Sequence, residues 1–139
     1  MANKTMVYKL VGQVLVTLHT EKSPDDQEWE PYFRFSTTLP PTCRRMLVIS
    51  RGGGPNAKQR KYVNEAYTKD VKMTVAVVND STMVRGIVTA LGWFNSHIKP
   101  FPYTDTGLED AFKYLDIQGK EAGHLLAEIR KMKLELGMK

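Results

Sequence analysis

Arg45–Val78 reads RMLVISRGGGPNAKQRKYVNEAYTKDVKMTVAVV, and this stretch decides the fold. Arg45–Ser50 (RMLVIS) is a short apolar strand, and Arg51–Pro55 (RGGGP) is a loop, because glycine and proline punctuate regular structure. The spacing predicts a helix over Asn56–Thr68 and a second buried strand over Lys72–Val78 (KMTVAVV). Strand, helix and strand in that order require a crossover connection, which makes the two strands parallel.

Outward from this unit the alternation continues. Met6–His19 (MVYKLVGQVLVTLH) reads as a β-hairpin whose Gly12-Gln13 pair suits a two-residue turn. That register puts Val7, Lys9, Val11, Val14, Val16 and Leu18 on one face and Met6, Tyr8, Leu10 and Leu15 on the other. Both faces are therefore expected to be covered. Ser23-Pro24-Asp25-Asp26 predicts a helix start: a hydroxyl N-cap at Ser23, proline next, then acids at the positive end of the dipole. This helix should run to about Thr37, bent by Pro31, with Pro40-Pro41 as its barrier.

Downstream, Asn79-Asp80-Ser81 is expected to cap a helix over Thr82–Asn95, striped by Val84, Ile87, Val88, Leu91 and Phe94. His97–Tyr103 (HIKPFPY) has strand character, and its two prolines confine it to a sheet edge. Helices over Thr106–Leu115 and Lys120–Leu136 follow. The predicted fold class is an α/β sandwich of about five mixed strands, an N-terminal hairpin then parallel crossovers, with four helices plus a C-terminal helix.

Composition bounds the function. The chain has 139 residues, 42% of them apolar and 25% charged, and one cysteine, Cys43, which excludes a disulfide scaffold, collagen and low-complexity disorder. One domain over 1–139 is expected, and neither a membrane span nor a signal peptide is expected, which suits the cytoplasm. Net charge is +5, unevenly laid out. Residues 21–30 hold five acids (Glu21, Asp25, Asp26, Glu28, Glu30), whereas residues 31–64 hold seven bases and no acid. A basic block of this kind steers anionic partners. Aromatics are not interleaved with the bases, which argues against nucleic acid as the partner.

The order of elements resembles the STAS domain, the fold of bacterial anti-sigma-factor antagonists, compared also with lipid-binding CRAL-TRIO domains. The resemblance covers about residues 6–117, leaving a C-terminal helical extension at about 119–137. It is carried most specifically by VAVVNDSTMVRGIVTALGWFNSHIKPFPYTDTGLEDAFKYL, Val75–Leu115, and by PNAKQRKY, Pro55–Tyr62. It implies a regulatory protein-interaction module without enzymatic activity. It also implies that the Gly loop and the following helix meet the partner, another protein. Antagonists that switch by phosphorylation carry Asp-Ser at the start of that helix; here the turn is Gly54-Pro55-Asn56, and Ser50 lies several residues earlier.

Other chemistry finds little support. Three glycines before a helix let successive N–H groups converge on an anion, with Arg51 and Lys58 alongside. Yet neither a Walker A sequence nor G-x-G-x-x-G is present. No G-x-S-x-G elbow supplies a nucleophile. Cys43 sits beside Arg44 and Arg45, which would lower its pKa. His19, His97 and His124 are scattered, so neither a metal nor any other cofactor is expected.

The candidate partner- or anion-binding residues are thus Ser50, Arg51, Gly52, Gly53, Gly54, Asn56 and Lys58. The alternative function is a small carrier that holds a lipid or other apolar ligand between sheet and helices. Met83 and Trp93 would then line the ligand site or form an interface. The amphipathic C-terminal helix is expected to fold back as a cap or to form a homodimer.

Overall fold

The computed structural model describes residues 4–67, 73–80 and 97–138, excepting the side chains of 63–67. The expected helix over 82–95, with Met83 and Trp93, lies outside the described residues.

The hairpin forms as its alternation dictates. β1 (Met6–Val11) and β2 (Val14–His19) pair antiparallel, Val11 opposite Val14, around a turn in which Gly12 takes a φ of +59°. That left-handed conformation is costly for residues with a Cβ, so glycine occupies it. β3 (Arg45–Ser50), β4 (Thr74–Asn79) and β5 (Ile98–Pro102) then join in parallel, giving one five-stranded sheet in the order β1-β2-β3-β4-β5. The strand with Pro100 and Pro102 lies at an edge, where proline's missing N–H leaves no neighbour unpaired.

Four described helices accompany the sheet: α1 (Asp26–Thr37), α2 (Ala57–Tyr67), α3 (Asp105–Tyr114) and α4 (Gly119–Leu136). The N-cap of α1 is Asp25 rather than Ser23. Its carboxylate accepts the Glu28 N–H at 2.9 Å, and a carboxylate at the positive helix end outcompetes a hydroxyl two residues earlier. α1 continues through Pro31.

The two sheet faces build two cores. Val7, Val14, Val16 and Leu18 of the hairpin, with Leu47, Ile49, Ala76, Val78 and Phe101, pack against Phe112, Leu125, Ile129 and Met132 of α3 and α4. On the opposite face Leu15 and Met46 pack against Trp29 and Tyr32 of α1, together with Cys43 and Met73. α2 lies beside α1.

The C-terminal helix folds back as a cap. Its apolar stripe is consumed within the chain, so a homodimer through this helix would have to use outer residues such as Leu126 and Leu134. Arg45 fastens its start. The guanidinium meets the Glu121 carboxylate at 2.9 and 2.7 Å, and it donates to the Leu115 carbonyl at 3.2 Å.

Candidate functional site

Parallel pairing in register lines up the carboxyl ends of the strands. His19, Ser50, Asn79 and Pro102 are successive partners across β2, β3, β4 and β5. Partners in a parallel ladder point to the same face, so His19, Ser50 and Asn79 form a polar row on the α1 side, each almost completely buried. Burial pushes the His19 imidazole down to about 4, so it is neutral at physiological pH.

The chain leaves this row through the glycine loop, which is stitched to its surroundings. Ser50 Oγ donates to the Gly53 carbonyl and accepts the Gly52 N–H at 3.0 Å. The Arg51 N–H donates to the His19 carbonyl at 3.1 Å, and the Gly53 N–H to the Thr20 carbonyl at 2.8 Å. Gly53 lies so close to the carbonyls of Thr20 and Lys22 that a Cβ would collide with both. The loop amides of Arg51, Gly52, Gly53 and Asn56 are therefore all engaged within the chain. They make a tight turn instead of the anion cradle that three glycines allow. The single proton of the Ser50 hydroxyl goes to Gly53, which leaves none directed at His19 for nucleophile–base chemistry.

α2 begins with a reciprocal cap. Asn56 Oδ1 accepts the Gln59 N–H and Gln59 Oε1 accepts the Asn56 N–H, each at 2.9 Å. Buried Gln59 also donates to the Pro24 carbonyl and to Asp26 Oδ1, both at 3.2 Å, tying α2 to the start of α1. This fixes which side of α2 faces outward. Lys58, Lys61 and Tyr62 are exposed. Between α1 and α2 runs a groove of about 330 Å³, lined by Asp26, Trp29, Glu30 and Phe33 of α1 and by Lys58, Gln59 and Tyr62 of α2. The Phe33 and Tyr62 rings meet edge-on, 6.4 Å between centres.

The candidate residues thus divide. Ser50, Gly53 and Asn56 build the turn and the cap, while Gly52 and Gly54 take φ of +127° and +156° within it. Lys58 reaches solvent at the groove. Arg51 turns toward the other face, where its Nε lies 3.2 Å from Asp80 Oδ2 and its guanidinium carbon 5.2 Å from the Tyr103 ring centre. Cys43 behaves differently from its sequence context. It is buried, and desolvation raises the thiol pKa in spite of Arg45 nearby.

Sequence reasoning passed over Gln59, Tyr62 and Phe33. The first had a signal, since an N-cap residue followed three positions later by Gln is a capping-box spacing. The groove had none, because it joins positions on two helices. Among the described residues no group of His, Cys, Asp and Glu is placed to hold a metal, and no helix is long and apolar enough to cross a membrane. No family model, curated protein or solved structure matches this chain.

Proposed function

We propose that this chain is a STAS-like, non-enzymatic regulatory module of the cytoplasm that binds another protein through the exposed side of α2 and the adjoining glycine loop. One observation carries the reading. The backbone amides of Arg51, Gly52, Gly53 and Asn56 are engaged within the chain, while Lys58 and Tyr62 are left exposed on the groove and Lys61 exposed beside them. A rigid, pre-ordered turn that presents an exposed aromatic between cations suits recognition of a protein surface, because little ordering entropy remains to be lost. Ser50 is not the contact in this reading. Its hydroxyl lies beneath the loop, and a kinase would have to open the turn to reach it.

The test is partner capture by Lys58→Glu/Tyr62→Ala against the unmodified chain, with circular dichroism to confirm the fold. Both side chains are exposed, so the fold should survive. Capture should fall at least about tenfold, as for loss of one interface anchor and one steering charge. Unchanged capture by the folded variant contradicts the assignment.

A further inference from the structure

Tyr103 follows β5 and stands at the carboxyl end of the parallel strands. Two cations from distant parts of the chain approach its ring. The Arg51 guanidinium carbon, from the glycine loop, is 5.2 Å from the ring centre, and Lys133 Nζ, from α4, is 5.3 Å from it. Asp80, just after β4, is the carboxylate beside them, with Oδ2 3.2 Å from Arg51 Nε.

This arrangement is incompletely satisfied. Arg51 Nε is buried and makes no hydrogen bond among the described residues, since the Asp80 contact lacks the alignment for one. The Tyr103 hydroxyl is also buried without a partner among the described residues. Two positive charges face one negative charge, and Lys133 forms no ion pair among the described residues. Cation–π attraction accounts for the cations lying near the ring, but not for a phenol left without an acceptor. An oxyanion would answer both deficits by balancing the excess charge and accepting from the phenol and the cations.

We propose that Arg51, Tyr103 and Lys133 form a binding site for a phosphate group. A carboxylate brings one charge in one plane, whereas a phosphate presents several acceptor oxygens and up to two charges to donors arriving from three elements. The site lies on the α3–α4 side of the sheet and shares Arg51 with the glycine loop of the proposed protein interface. Tyr103 and Lys133 lie outside that interface, so their variants test the phosphate site separately from the Lys58 and Tyr62 surface.

The experiment titrates the full ¹⁵N-labelled chain at constant ionic strength with three probes: inorganic phosphate, N-acetyl-O-phosphoserine amide and acetate. Saturable amide shifts around Arg51, Tyr103 and Lys133 are expected with both phosphates, and weaker binding with acetate. Comparable affinity for the two phosphates assigns the site to a free anion. Tighter binding of phosphoserine by about tenfold or more assigns it to a phosphorylated partner. Tyr103→Phe removes only the hydroxyl and should weaken binding about fivefold. Lys133→Gln should weaken it about tenfold or more. Thermal melts confirm that both variants fold. Shifts that never saturate, that acetate reproduces at equal concentration, or that persist unchanged in both variants overturn the proposal.

Discussion

Asn56 and Gln59 cap each other: each side-chain oxygen accepts the other residue's backbone N–H at 2.9 Å. Gln59 is the more costly of the two to lose, because its amide also reaches the Pro24 carbonyl and Asp26 Oδ1 from a fully buried position. Gln59→Ala leaves the Pro24 carbonyl short of a donor and opens a cavity between α1 and α2. It should destabilise the chain by about 2–4 kcal/mol. Asn56→Ala, at an exposed cap, should cost about 1 kcal/mol. Urea unfolding of the two variants measures both, and equal losses would contradict this division of roles.

Acid should weaken the fold through His19. Its imidazole is held at about 4 by burial, against an ordinary value of 6.5. Between those values the unfolded chain binds a proton that the folded chain refuses, so stability falls as pH falls from 6.5 toward 4. The full effect is about 3 kcal/mol, at 1.36 kcal/mol per pH unit. Stability measured across this range should drop in the unmodified chain, and the drop should be much reduced in His19→Gln.

The latch between Arg45 and Glu121 should hold the beginning of α4. The hydrogen bond from Arg45 holds the Glu121 carboxyl below the usual carboxylate value, so its contribution is present at neutral pH and lost on acidification through that lowered value. Glu121 is partly exposed, and solvent screening reduces the pair's worth. Arg45→Ala also deprives the Leu115 carbonyl of a donor. A loss of about 1–2 kcal/mol is expected. Amide exchange should quicken first in residues 115–122, and protection unchanged there would refute the latch.

Cys43 should resist modification. Its thiol is buried between the sheet and α1, and burial raises its pKa, so both access and thiolate fraction are low. An aromatic disulfide reagent should label it no faster than the chain opens, with prompt labelling only in denaturant. Rapid labelling of the native protein would show that Arg45 outweighs burial.

The layered fold was legible because its signals are local. The alternation in Met6–His19 set which hairpin residues meet α4, and Pro100 and Pro102 marked the edge strand. The start of α1 was displaced by two residues because Ser23 and Asp25 are both competent caps, and the Asp25 carboxylate takes the Glu28 N–H. The triple glycine announced a turn, but not the direction of its amides. That direction depends on the carbonyls of His19 and Thr20, which come from another strand. Tyr103, Arg51 and Lys133 stand far apart in the chain, and only the closing of α4 over the sheet brings them together.

The central claim is that this chain binds a protein through α2 and the glycine loop. Native mass spectrometry of the chain gently isolated from its own cells tests it most directly, with Lys58→Glu/Tyr62→Ala prepared in parallel. The account predicts a protein-sized increment on the unmodified chain that is lost from the variant. A lipid-sized molecule that both forms retain under native conditions and release on denaturation would contradict it and make the chain a carrier.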